Sequence, residues 1–168
     1  MNGIAIPENH SALTSQNYVL KLCATLFKNV GIQMFVFARF FDNHNATLLQ
    51  TNNAWFQSFI NKGYSPLIPI PKKFIREKFN YLLTTTQGYN HMLDHNTTFG
   101  FDLGIDLIER KTGYFDMFYF ALPSNTLNCT NQYLKHLQIL ENFKHDFYYN
   151  ADRLINKTSD MLHLPKHM

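Results

Sequence analysis

Along this chain the spacing of apolar residues switches between a helical period and a period of two. Val19, Leu22, Cys23, Leu26, Phe27 and Val30 recur at i, i+3, i+4 and i+7, which predicts an amphipathic helix from a cap at Ser15 to Gly31, after a weakly ordered arm over 1–14. Residues 34–41, MFVFARFF, then read as a strand with one charge, Arg39, and the polar turn 42–45 leads into a second strand over 46–51. Asn52 or Asn53 caps a short helix that carries Trp55, Phe56, Phe59 and Ile60 and ends at Gly63. Pro66, Pro69 and Pro71 exclude a helix or central strand over 64–71. A helix over 72–83 follows, with Phe74, Ile75, Phe79, Leu82 and Leu83 as its stripe, and the polar, aperiodic residues 84–98 are expected to be mobile.

The strongest pattern lies over 99–122. Phe99, Phe101, Leu103, Ile105 and Leu107 alternate with Gly100, Asp102, Gly104 and Asp106, so a strand with one buried face is predicted. The turn at 109–113 closes on Gly113, and the next strand, 114–122, is apolar on both faces and therefore central. After Pro123 a helix over about 126–156 is predicted, with Tyr133, Leu137, Leu140, Phe143 (or Lys144), Phe147, Ala151 and Leu154 on its apolar side. Two hairpins with helices before, between and after give an α+β fold, an antiparallel sheet sandwiched by helices as in PAS- and GAF-like sensors, with a long C-terminal helix. One domain over 15–156 and a tail over 157–168 complete the layout.

Composition narrows the function. A chain of 168 residues buries enough surface to fold without staples, and two cysteines, Cys23 and Cys129, are too few for a disulfide framework. No signal peptide or membrane-length apolar run is visible, so a cytoplasmic protein is expected. The net charge of +3 is modest, and the basic run Lys72, Lys73, Arg76 and Lys78 reads as a solvated helix face. No nucleophile elbow, phosphate loop or CxxC pair is present, so a non-enzyme without cofactor is expected. His91 and His95 match a metal-ligand spacing but lie in the polar segment, and they are read as surface histidines, as are His163 and His167. Asp102, Asp106 and Asp116 are read as residues of exposed strand faces. The aromatic content is high at 15%, which suits a pocket for an apolar ligand under the only tryptophan, Trp55.

The run Trp55-x3-Phe59-x4-Tyr64-x3-Ile68-Pro69 resembles the W-x3-Y-x4-Y-x3-D-P signature of the autoinducer-binding domain of LuxR-type transcription regulators. Phe99-Gly100, Gly104, Gly113 and Phe118 are similar to that family's second hairpin, with a turn about a residue shorter. The resemblance implies a regulatory sensor of small molecules, a homodimer, and ligand contacts at Thr51, Trp55, Phe59, Tyr64 and Ile68, with Phe101 and Tyr119 of the hairpin as walls. It also implies a helix-turn-helix domain after the long helix; only 12 residues follow Asn156, so DNA binding is expected outside this chain. The departures are chemical. Where the family has a tyrosine and an aspartate for the lactone's polar head this chain has Phe59 and Ile68, and Thr51 replaces another pocket tyrosine. Losing a charged acceptor forfeits roughly 1.5–3 kcal/mol and a phenol about 1 more. That is on the order of 10² to 10³ in affinity, so a more apolar ligand than an acyl-homoserine lactone is expected. The alternative is a ligand-free dimerisation or interaction module of the same fold.

Overall fold

The computed structural model describes residues 6–64, 79–83 and 90–164. Within them the elements run α1 (Ser11–Thr14), α2 (Gln16–Val30), β1 (Met34–Phe41), β2 (Asn45–Gln50), α3 (Asn53–Asn61), β3 (Phe79–Leu83) and α4 (Asn90–Thr98). After these come β4 (Ile105–Lys111), β5 (Tyr114–Ala121), α5 (Cys129–Lys135), α6 (Leu137–Ile155) and β6 (Leu162–His163). The six strands form one antiparallel sheet in the order β3-β4-β5-β1-β2-β6. The expected α+β fold with helices on both faces is what forms.

The period-two runs at β1 and β5 make the centre of the sheet, paired from Met34↔Ala121 to Phe41↔Tyr114. Because successive side chains point to opposite faces, each strand feeds two layers. Met34, Val36, Ala38 and Phe40 join Phe115, Met117, Tyr119 and Ala121 under α1 and α3. On the other face Phe35, Phe37, Phe118 and Phe120 meet the apolar stripes of α2, α5 and α6. There Phe35 lies 4.9 Å from Phe147 and 5.2 Å from Phe143, centroid to centroid. As predicted, β5 is covered on both sides.

One row crosses this second layer with polar side chains. Glu109, Asp116, Arg39 and Thr47 are register partners on four adjacent strands. Arg39 grips Asp116 through Nε (2.7 Å) and Nη2 (2.8 Å), Tyr148 of α6 donates to Asp116 (2.7 Å), and Lys144, one turn earlier, bonds Glu109 (3.0 Å). Burial alone would weaken the Arg39 proton, but the Asp116 carboxylate outweighs it and holds the guanidinium pKa above its usual value. The row therefore sets where α6 lies along the sheet. Asp106 and Asp116, expected on exposed faces, both have no exposed surface.

Several elements differ from their sequence patterns. Residues 11–14 are not part of a loose arm: Ala12 and Leu13 are buried and the His10 side chain caps the turn at Ala12 N (3.0 Å). Ser15 consequently continues from α1 in a helical conformation instead of capping α2. Residues 79–83, expected as a helix end, pair with β4 from Phe79↔Glu109 to Leu83↔Ile105, because the open edge of β4 supplies backbone partners that periodicity cannot reveal. Residues 90–98 of the supposed mobile stretch are helical. β4 starts only at Ile105; Phe101 forms an isolated bridge to Pro123, and Gly104 turns the chain at φ +79°. The long helix is broken at His136 (φ −104°, ψ 11°) into α5 and α6. His163 sits in β6 with Nδ1 3.1 Å from Asn45 Oδ1, while His167 lies outside the described residues. Among the described residues no helix is long and apolar enough to cross a membrane.

Candidate functional site

α3 is anchored before it presents anything. Asn52 caps it by accepting from Trp55 N (2.9 Å), and Asn53 donates to Leu13 O (3.1 Å), tying the helix start to α1. This places Trp55 in the first turn, inward, with 3% of its surface exposed. One turn later Phe59 stacks on the indole at 4.9 Å and 15°. Tyr64 closes edge-on to Phe59 at 5.5 Å, and Phe101 is buried in the same layer. Thr51 is also buried, but its hydroxyl is spent on β1, accepting from Phe35 N at 2.9 Å. Of the residues expected to line a ligand site, Trp55, Phe59, Tyr64, Phe101 and Tyr119 share one layer; Ile68 lies outside the described residues.

α4 supplies what the pattern of the sequence missed. Asn96 has no exposed surface, and its Oδ1 accepts from the Trp55 indole N–H at 2.9 Å. Its Nδ2 donates to the Tyr119 hydroxyl and to the Asp102 carbonyl, each at 2.7 Å. His95, read as a surface residue, is 1% exposed and stands among aromatic rings: Trp55 at 5.5 Å, Phe59 at 5.6 Å, Tyr64 at 5.7 Å and Phe99 at 5.1 Å. Its Nε2 lies 3.2 Å from Trp55 O and its Nδ1 3.4 Å from Lys62 Nζ. Donation from Nε2 leaves Nδ1 as the acceptor for the ammonium. Burial is the main cause that lowers the His95 pKa, and the Lys62 charge adds to it against the pull of the Trp55 carbonyl. The ring is therefore neutral at pH 7.

Tyr119 faces Asp106 across the β4–β5 pair, and both are buried. Burial first, then the negative charges of Asp106 and Asp102, push the phenol well above its ordinary pKa, so it serves as a neutral hydroxyl. Asp102 links this layer to the C-terminal helices. Its carboxylate accepts from Tyr133 of α5 at 2.6 Å and from Leu122 N and Gly104 N at 3.1 Å, while its carbonyl takes the Asn96 amide. Among the described residues no group of three His, Cys, Asp or Glu could hold a metal ion. The side chain of His91 lies outside the described part.

An aromatic layer with a small polar centre thus lies against the antiparallel sheet, with Trp55 of α3, Asn96 of α4 and Tyr119 of β5 joined at its middle. The fold is that of the autoinducer-binding domains of LuxR-family regulators. The Escherichia coli SdiA crystal structure superposes with a TM-score of 0.59 at 8% identity, over 82% of this chain and 62% of that one. CepR2 of Burkholderia cenocepacia, an N-acylhomoserine lactone dependent LuxR family transcription factor, gives 0.59 at 12% identity, over 83% of this chain and 86% of its own. SdiA in complex with octanoyl-rac-glycerol gives 0.62 at 11% identity, over 92% of this chain and 66% of its own. This chain thus spans under two thirds of the first SdiA chain. No protein-family model matches the sequence, and neither does any curated protein.

Proposed function

We propose that this chain is the ligand-sensing regulatory domain of a LuxR-type transcription regulator, a binding domain and not an enzyme. Its ligand is an apolar small molecule that sits in the aromatic layer between Trp55 and β5. Acyl chains suit such walls, and SdiA was solved with octanoyl-rac-glycerol. A typical acyl-homoserine lactone is not the ligand in this reading. The observation that carries it is the Trp55 indole N–H, whose single donor is already spent on Asn96 at 2.9 Å. Phe59 and the committed Thr51 hydroxyl leave the neighbouring positions equally poor in free polar groups. Occupancy is passed on through Asp102 to Tyr133 and the C-terminal helices, and from there, in a homodimer, to DNA-binding machinery.

The only tryptophan of the chain is the reporter. Titration of Trp55 emission with 1-octanoylglycerol, 1-octanol and N-octanoyl-homoserine lactone should give a saturable change with a non-lactone amphiphile. The melting temperature should rise with it, by an amount corresponding to about 2.7 kcal/mol at a hundredfold excess over Kd. Sub-micromolar lactone binding refutes the ligand class. The self-satisfied indole also favours a second reading, a ligand-free interaction module of this fold, and silence of both signals for every probe selects it.

A further inference from the structure

The chain that follows α6 turns back onto the sheet. A 3₁₀ turn at Thr158–Asp160 leads into β6, which pairs with β2 at Asn45↔His163 and Ala46↔Leu162, and Leu164 N donates to His44 O at 2.8 Å. Leu162 and Leu164 are buried in the layer that holds Trp55, while His163 between them is exposed, the alternation of an edge strand. Asp160 makes a second attachment. Its carboxylate accepts from Lys157 Nζ at 2.6 Å and from Ser11 N of α1 at 3.2 Å. The Lys157 ammonium, and after it Ser11, hold that carboxyl below the usual carboxylate range against the opposing effect of burial. α1 is tied in turn to the start of α3: Ala12 O accepts from Gln50 Nε2 at 2.7 Å and Leu13 O from Asn53 Nδ2 at 3.1 Å. A continuous series of bonds therefore runs from the residues just after α6, through α1, to the helix turn that carries Trp55.

The outer end of this series is held lightly. β6 has two register pairs with its neighbour where β1 and β5 share eight, and it adds two leucines and one carboxylate at the border of the sheet. Segments with few buried contacts open locally, at a free energy below that of global unfolding. Resting on the sensor reading above, we propose that residues 160–164 are a latch that opens as a unit and, when closed, stiffens α1 and the start of α3, coupling the end of α6 to the Trp55 layer at this edge of the sheet. The coupling is reciprocal, so whatever loosens α1 and α3 also favours release of the latch. It is separate from the bond between Asp102 and Tyr133, which lies on the other side of β5 from β2.

The test is amide hydrogen exchange of the full chain, read residue by residue by NMR with no ligand added. Leu164 N reports the latch, Thr14 N α1 and Phe56 N α3, each through its backbone bond, and the amides of β5 give the global rate. In wild type Leu164 should exchange at least about tenfold faster than β5 and at least about tenfold slower than an unfolded chain. Leu162→Ala with Leu164→Ala should bring residue 164 to the unfolded rate and speed Thr14 and Phe56 at least about threefold, with β5 changed less than that. If the double variant does not fold, Asp160→Asn, which removes no apolar surface, should speed residue 164, Thr14 and Phe56 in the same order over an unchanged β5. Exchange of wild-type Leu164 at the β5 rate, or at the unfolded rate, overturns the latch. An opened latch that leaves Thr14 and Phe56 unchanged overturns the coupling, and equal acceleration everywhere overturns it too, since that reports global destabilisation. The outcome is independent of the emission titration: a silent titration beside the expected exchange pattern sinks the sensor reading and leaves the mechanical coupling standing.

Discussion

Replacing Asp116 by asparagine isolates a buried cation and tests how α6 is held to the sheet. Asp116 has no exposed side-chain surface and Arg39 10%, and the two share bonds of 2.7 and 2.8 Å. An amide of the same shape offers one acceptor where the guanidinium needs two, and turns an N–H toward it or toward the Tyr148 hydroxyl. Stripping one partner from a buried pair costs about 3–5 kcal/mol, because the remaining charge stays desolvated. The Tyr114 ring, 4.1 Å from the guanidinium carbon, recovers a small part. With a urea slope of about 2 kcal/mol/M, the midpoint should fall by roughly 1.5–2.5 M. The assay is urea unfolding followed by far-UV circular dichroism at pH 7. Replacing both members by apolar residues, Arg39→Met with Asp116→Leu, should restore most of the loss, since no charge is then buried alone. Tyr148→Phe should cost about 1.5–3 kcal/mol, the worth of a hydrogen bond to a charged group. A loss below about 1 kcal/mol for Asp116→Asn, or a double variant as unstable as the single one, refutes the account of the polar row.

Four further outcomes are expected. Gly104→Ala should destabilise by about 3 kcal/mol or more in the same unfolding assay: the residue lies at φ +79°, and a Cβ would fall 2.5 Å from Phe120 O and against the Tyr119 ring. Asn52→Ala should cost about 1 kcal/mol by removing the cap at Trp55 N; a silent substitution shows that α3 is held from elsewhere. His95 has a folded pKa below its unfolded one, so the unfolded chain binds the extra proton and stability should drop as pH falls from about 6.5 toward the lower folded value. Lys62 and the rings of Trp55, Phe59, Tyr64 and Phe99 face it, and melting curves of wild type against His95→Gln should diverge in that window. Thiol titration at pH 8 should find Cys23 unreactive until unfolding, because burial pushes its pKa far up; Cys129, raised to about 11 by burial and Asp102, should react slowly.

The hairpins and the two long helical stripes were legible because their causes are local. Alternation at β1 and β5, the φ +84° glycines at Gly31 and Gly113 and the Asn52 cap act within a few residues of themselves. The aromatic residues of the candidate site were legible for the same reason, as one face of a short helix and one strand. Its polar centre was not. Asn96 and His95 look like loop residues in a run without period, and they are inside because Trp55 lies 41 residues before Asn96 and Tyr119 23 residues after it, both brought to hydrogen-bonding distance by the sheet. The burial of Asp116 has the same origin, since Arg39 and Tyr148 reach it from 77 and 32 residues away. A polar side chain is affordable in a core only when partners converge on it, and that convergence is a property of the assembled layers, not of any window of the chain.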